Sequence, residues 1–242
     1  VIGNAIWGDV FWGLIPSLVT LLIILHHQKL DWPILKHRDS YLQTGLIPLL
    51  LFASLWLVVS FSMEGRPRPL SYFPVANPLE LSQLFILFVL VVWLIRIHRD
   101  DLPQLPSLQG LTVLYIVAGL AFIWLNSVVG RAVHFFYGVR FNMDALFNSA
   151  IYQASISIIW TLTALTMTAV ATRHNKRKLW FVGAILIAAV ALKLFAIDLK
   201  DTGTIERIIS FLTVGILLSV IGYLSPLPPK ESIEDESADE SD

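Results

Sequence analysis

The sequence LFILFVL at residues 84–90 lies at the centre of an apolar stretch that runs from Leu79 to Ile97. A helix needs about 20 apolar residues to cross the roughly 30 Å of hydrocarbon in a bilayer, and this stretch has that length. Apolar and polar residues do not alternate in it, which excludes a strand of an outer-membrane barrel. Because a bilayer offers no water to backbone amides, the stretch is predicted to be a transmembrane helix.

Seven apolar segments of this kind occur along the chain, and prolines and charged residues separate them. They lie near residues 6–25, 45–63, 79–97, 111–129, 150–171, 179–197 and 208–224. Overall, 56% of the residues are hydrophobic and 14% are charged, whereas soluble domains carry about 25% charged residues. We therefore predict an all-α, polytopic integral membrane bundle of about seven transmembrane helices over residues 1–229.

The two ends of the chain differ from this bundle. Residues 230–242 hold one lysine and seven acidic residues, and a segment with so little to bury is expected to be a disordered acidic tail. At the other end, the chain begins with Val1 and lacks the basic and small-residue features of a signal peptide. We expect it to be a piece of a longer protein or a processed product.

The distribution of basic residues predicts the orientation in the membrane. Four lysines and arginines fall within the six-residue loop Arg173–Lys178, and short loops rich in these residues stay in the cytoplasm. The predicted topology then has the N-terminus outside and the acidic tail in the cytoplasm.

The predicted fifth span carries a polar stripe, with Gln153, Ser157 and Thr161 recurring every four residues. Helices in lipid use such stripes to approach one another and exchange hydrogen bonds. We interpret the stripe as helix-packing contacts in preference to a lining for a substrate.

Lys193 is the deepest charged residue of the predicted outer half, and Asp198 and Arg207 are near it in the sequence. Charged groups inside a membrane pair with one another or mark a functional site. One interpretation is an ion-pair network that fixes the outer hairpin between spans six and seven. The other is an outward-facing polar pocket that binds an anionic head group or a sugar. The candidate ligand-binding or ion-pair residues are Lys193, Asp198, Arg207, Arg131, His134, Asp144, Glu64 and Arg66.

Several kinds of site are not indicated by the sequence. It contains no cysteine and no His-x-x-x-His or Glu-x-x-His pair, so we expect no metal site. Phosphate-binding loops, nucleophile elbows and dinucleotide-binding glycine patterns are absent, and we expect no cofactor. The basic residues form no patch with interleaved aromatic residues, so nucleic acid is not an expected partner.

The stretch from about residue 145 to residue 229 resembles the C-terminal part of a bacterial membrane protein family, domain of unknown function 2339. The resemblance rests mainly on the sequences SIIWTL at 157–162, KLFAIDL at 193–199, RIISF at 207–211 and PLPP at 226–229. It implies a location in the bacterial inner membrane, and it implies no activity. Members of the family are usually longer and have more spans, so the chain resembles a C-terminal portion of them.

The function hypothesis that these features favour is a membrane protein whose outer-leaflet polar pocket handles an envelope lipid or glycan. Three alternatives stay open: an ion or small-solute transporter, a membrane-embedded transferase that uses Asp144, Glu64 or His134 as a base, and a structural scaffold. In the scaffold hypothesis the acidic tail recruits a cytoplasmic protein partner. Membrane lipids are expected partners in all four.

The orientation can be tested with single cysteines at positions 176 and 70, since the chain has none of its own. We expect an impermeant thiol reagent, applied from outside to intact cells, to label position 70 and not position 176, because translocating the basic loop is unfavourable. Labelling of position 176 in intact cells would contradict the predicted orientation and indicate the opposite one.

Overall fold

The computed structural model describes residues 6–26, 40–99 and 110–194, together with four single positions, 212, 215, 216 and 219. Over these residues the protein is helical and contains no strand. A five-residue π-helix, Tyr41–Gly45, precedes the second α-helix. The α-helices are α1 (Trp7–His26), α2 (Ile47–Ser60), α3 (Pro78–Arg99), α4 (Gly110–Tyr137), α5 (Met143–Phe147), α6 (Ala150–Arg173) and α7 (Arg177–Lys193).

The chain divides into two compact units, Val1–Leu146 and Phe147–Asp242. In the first unit, α1 packs against α2 and α3, and α3 also packs against α2 and α4. Leu57 of α2 and Leu79 and Ile86 of α3 belong to the buried apolar core of this unit. The opposite faces of the same helices expose large apolar side chains such as Leu55 and Phe88, which is the distribution expected of helices that face lipid.

Helix α3 begins at a well-defined cap. The Asn77 side chain accepts a hydrogen bond from the backbone N–H of Leu79 at 2.9 Å, and Pro78 occupies the first helical position. Asparagine before the first turn and proline within it are both favoured at helix starts. This cap fixes the point at which the loop of residues 61–77, which follows α2, enters α3.

Helix α4 is longer than the sequence predicted. The predicted span ended at residue 129, but the helix continues to Tyr137, and Gly138 follows it with a φ of +69°. A glycine in the left-handed region is a common helix terminator. Arg131 and His134 therefore lie on the helix, three residues apart and on neighbouring positions of one face.

In the second unit, α6 and α7 form a helical hairpin. Ser149 caps α6, and its side chain accepts a hydrogen bond from the N–H of Tyr152 at 3.4 Å. Gly183 of α7 packs so closely on α6 that a Cβ atom at this position would lie 2.6 Å from Thr168 Cγ2 and 3.2 Å from the carbonyl oxygen of Ala164. The small residue thus permits the close helix approach that is typical of membrane proteins.

Over the described residues, the prediction of a helical membrane protein is confirmed, whereas the count of seven spans is not confirmed. Four helices are long and apolar enough to cross a membrane, namely residues 7–26, 78–97, 115–137 and 150–173. Helix α2 has 14 residues and is shorter than the predicted span, while α7 has 17 residues up to Lys193, where the described part of the chain nearly ends. The predicted span near 208–224 and the acidic tail lie outside the described residues, apart from the four single positions.

The close contact at Gly183 predicts a strong effect of a larger side chain. We expect Gly183→Leu to lower the stability of the protein by about 1–3 kcal/mol, because overpacking forces the two helices apart. Gly119→Leu is the matched control: it is exposed on α4, and a Cβ atom there would meet nothing within 4 Å. Thermal unfolding in detergent micelles measures both, and an equal loss for the two variants would contradict tight packing at Gly183.

Candidate functional site

The polar residues of the first unit gather around Arg131, at the end of the unit where the loop of residues 61–77 joins α2 to α3. The Arg131 side chain has 0% exposed surface, in a helix of otherwise mostly apolar residues. A charged group in such surroundings must be paired and hydrogen-bonded to be tolerated.

All three guanidinium nitrogens of Arg131 have partners. Nε donates to the carbonyl oxygen of Met63 at 3.1 Å, and one terminal nitrogen donates to the carbonyl oxygen of Ser60 at 3.0 Å. The other terminal nitrogen donates to Gln83 Oε1 at 3.4 Å and lies 3.7 Å from Glu80 Oε1. Arg131 therefore joins α4 to the end of α2, to the following loop and to α3.

Glu80 is the counter-ion of Arg131 and is equally buried, with 0% exposure. Its carboxylate accepts hydrogen bonds from the Tyr72 hydroxyl at 2.8 Å and from the N–H of Val75 at 2.6 Å. Burial, together with the charge of Glu80, raises the pKa of Tyr72 above its ordinary value, so the hydroxyl stays protonated and donates. We call Ser60, Tyr72, Glu80, Gln83 and Arg131 the buried arginine cluster.

Two further contacts lie at this cluster, one between α3 and α2 and one within the loop of residues 61–77. The Gln83 amide donates to Ser60 Oγ at 2.8 Å, and the Asn77 amide donates to the carbonyl oxygen of Gly65 at 2.7 Å. Gly65 itself has a φ of +74°, and a Cβ atom there would lie 3.0 Å from Leu79 Cδ2. Glycine is the residue that accepts both this backbone conformation and the close approach.

Beside the cluster lies a more exposed group, Glu64, Arg66 and His134, which we call the Glu64 triad. His134 Nε2 lies 2.8 Å from Glu64 Oε1, and Arg66 Nε donates to the same oxygen. The exposed fraction of the side chain rises from 15% for His134 to 35% for Glu64 and 55% for Arg66. All three residues were candidates from the sequence, and the structure brings them together.

The electrostatics of the Glu64 triad favour the ionised carboxylate. Burial alone would raise the pKa of Glu64, but the hydrogen bonds and charges of Arg66 and His134 outweigh it and leave this pKa below its ordinary value. His134 Nδ1 faces the carbonyl oxygen of Val139 at 2.6 Å. Both ring nitrogens of His134 thus face oxygen atoms.

Lys193 belongs to the second unit, where it is the last residue of α7. Its Nζ donates to the carbonyl oxygen of Gln153 at 3.1 Å and to Ser157 Oγ at 2.8 Å. Both acceptors are on α6, so these contacts tie the two helices of the hairpin together. Asp198 and Arg207, the other predicted members of a network with Lys193, lie outside the described residues.

The remaining candidate, Asp144, is exposed in the first turn of the short helix α5. It is not part of the Glu64 triad or of the buried arginine cluster. Among the residues that the structure describes, no group of three or more histidine, cysteine, aspartate or glutamate side chains is arranged to hold a metal ion.

Sequence reasoning missed most of the buried arginine cluster, above all Glu80 and Gln83. A signal for these two residues was present, because Asn77, Glu80 and Gln83 recur every three residues at the start of an otherwise apolar span. Residues three apart share one face of a helix, and a polar face at the start of a membrane span predicts an internal partner.

The position of Arg131 predicts a large stability effect. We expect Arg131→Met to destabilise the protein by about 3–5 kcal/mol, because removing one partner leaves the buried Glu80 charge uncompensated. Arg140→Met is the control: this arginine is exposed, and surface substitutions usually change stability by less than about 0.5 kcal/mol. Unfolding in detergent tests the pair, and equal stability of the two variants would contradict a structural role for Arg131.

Comparison with known proteins places this architecture in a family. A family model described as "Predicted membrane protein (DUF2339)" matches residues 2–228. The match confirms the resemblance found in the sequence and extends it from the last third of the chain to almost all of it. The comparison with curated proteins gives no match, and the comparison with solved structures gives none either. Since the family model matches far more than half of the chain, the protein belongs to the family of predicted membrane proteins with domain of unknown function 2339.

Proposed function

We propose that this membrane protein handles an envelope lipid or glycan at the outer leaflet of the bacterial inner membrane, through the Glu64 triad. The observation that carries the proposal is the triad itself, which presents partly exposed ionisable groups beside the fully buried pair Arg131 and Glu80. Ionisable side chains at the ends of membrane spans pair with one another or mark a functional site, and the exposure of Glu64 and Arg66 favours the second role.

The proposal includes a topology. The two shorter helices α2 and α7, together with residues 208–224, would bring the number of spans from four to seven. Helix α2 follows the π-helix Tyr41–Gly45, and the combined helical stretch approaches the length of a span. With the basic loop Arg173–Lys178 in the cytoplasm, alternation of the spans puts the Glu64 triad on the outer side.

In this proposal the candidate residues have different roles, some in ligand binding and some in structure. Arg131 was among the candidates for binding an anionic ligand, but its full burial and its four acceptors support a structural role. In this role it holds the loop at Met63, the residue before Glu64. Glu64, Arg66 and His134 would then make the ligand contacts. The contacts of Lys193 with the Gln153 carbonyl oxygen and Ser157 Oγ join α7 to α6, which supports a structural role for this residue.

The alternatives receive less support from the geometry. A transferase base works best with a pKa near the working pH, whereas the hydrogen bonds and charges of Arg66 and His134 lower the pKa of Glu64. For a transporter, one expects ionisable groups near mid-span. In the described helices the charged residues lie within about two turns of the helix ends. The scaffold alternative depends on the acidic tail and is tested by deleting residues 230–242.

The test is retention of ligand by the purified protein. We expect native mass spectrometry of the protein, extracted mildly from bacterial envelopes, to find a bound lipid or glycolipid. Arg66→Gln should reduce the bound fraction roughly tenfold, because a charge-assisted hydrogen bond contributes about 1.5–3 kcal/mol.

The matched control is Arg173→Gln, which removes an exposed arginine from the last turn of α6 and should leave retention unchanged. Both variants must unfold at the temperature of the unmodified protein. Equal retention by Arg66→Gln and the unmodified protein would overturn the assignment of ligand binding to the Glu64 triad.

A further inference from the structure

The contacts within the Glu64 triad involve only some of its hydrogen-bonding atoms. Arg66 Nε and His134 Nε2 both bond to the same carboxylate oxygen, Glu64 Oε1. Within the part of the chain that the structure describes, Glu64 Oε2 and the two terminal nitrogens of Arg66 have no hydrogen-bond partner. A free acceptor and a free guanidinium edge therefore lie side by side on partly exposed side chains.

These two groups differ in what they bind. The edge of a guanidinium group matches the oxygens of a phosphate, to which it donates two parallel hydrogen bonds. A carboxylate oxygen accepts from N–H or O–H groups, and it accepts most strongly from a cationic donor. The ligand that satisfies both groups best carries a phosphate and a cationic N–H donor within a few bonds of each other.

We propose that the Glu64 triad recognises the phosphoethanolamine headgroup of a phospholipid, with the phosphate on Arg66 and the ammonium group on Glu64 Oε2. This inference rests on the proposed function and specifies its ligand. The headgroup carries both charges on adjoining groups, so each meets its opposite. A purely anionic headgroup would bring a phosphate to Arg66 but would leave Glu64 with a neutral donor or none.

The surroundings of the triad favour a lipid over a free phosphate compound. The Phe135 ring lies 4.8 Å from the His134 ring and stacks on Tyr72 at 4.3 Å. The neighbouring Phe73 and Phe136 are exposed. Exposed aromatic residues at the ends of spans are typical of the interface between headgroups and acyl chains, which is the depth at which a phospholipid presents its phosphate.

The choline headgroup provides a matched comparison, because it has the same phosphate and a cation but no N–H donor. The test is titration of the purified full chain in detergent with phospholipids of identical acyl chains, read by native mass spectrometry. The headgroups are ethanolamine, its N,N-dimethyl derivative, choline and glycerol. We expect affinity to fall in the order ethanolamine, dimethyl, choline, with roughly a tenfold difference between the first and the last.

The variants separate the two halves of the site. Glu64→Leu removes the acceptor and should reduce the preference for ethanolamine over choline to less than about twofold. Should Glu64→Leu fail to fold, Glu64→Gln serves instead, and its neutral acceptor should reduce the preference without abolishing it. Arg66→Gln should weaken both lipids, and Arg173→Gln should change neither.

Different results would overturn the ethanolamine assignment and the proposed function. Equal binding of the four headgroups, weakened for all of them by Arg66→Gln, would overturn the ethanolamine assignment and leave the proposed function standing. Binding that is insensitive to Arg66→Gln would overturn both. Soluble phosphoethanolamine that displaced the lipid at an equal concentration would overturn the lipid as ligand and assign the site to a free phosphate compound. Displacement of the lipid by a neutral oligosaccharide would overturn it in favour of a glycan.

Discussion

A guanidinium group with no exposed surface lies among the helices of the first unit, and the arrangement of that unit's polar end depends on how it is bonded. Taking such a charge out of water costs several kcal/mol unless its surroundings replace the lost hydration. Arg131 obtains that replacement from the carbonyl oxygens of Ser60 and Met63, from Gln83 and from the Glu80 carboxylate. Carbonyl groups at the end of a helix lack partners within it, so the same contacts that solvate Arg131 also satisfy the end of α2. One side chain thereby sets the path of the loop that carries Glu64 and Arg66.

The parts of the fold that depend on composition could be predicted from the sequence. The parts that depend on contacts between helices could not. The helices α1, α3 and α6 begin and end within a few residues of the predicted spans because apolar length alone decides them. The predicted fourth span ended at residue 129, where the apolar run gives way to Arg131, whereas α4 continues to Tyr137. The charge of Arg131 is compensated inside the protein by Glu80. Hydropathy carries no information about such internal compensation.

The candidate site shows the same division. Glu64, Arg66 and His134 could be identified as ionisable groups near span ends, but residues 64 and 134 are 70 positions apart and nothing in one sequence pairs them.

The polar stripe of α6 in the second unit gives a further example. The hydroxyl groups of Ser157, Thr161 and Thr172 each donate to the carbonyl oxygen four residues earlier in α6. Hydroxyl groups can thus donate within their own helix in lipid, and Ser157 Oγ also accepts from Lys193 of α7, so the stripe in the sequence does not distinguish bonds within the helix from contacts with a neighbour.

The loop of residues 61–77 has a consequence for binding that comes from its many attachments. Its backbone carbonyl groups accept hydrogen bonds from Arg131 at Met63, from Asn77 at Gly65 and from the Trp7 indole at Arg68, and Tyr72 is bonded to Glu80. When a ligand has to order a loop, the loop loses conformational entropy on association, and this loss weakens binding. Here the backbone of the loop is already ordered when the protein folds. A ligand that bound at this loop would meet a backbone that is already ordered, so differences in affinity between ligands would come mainly from their contacts with the side chains.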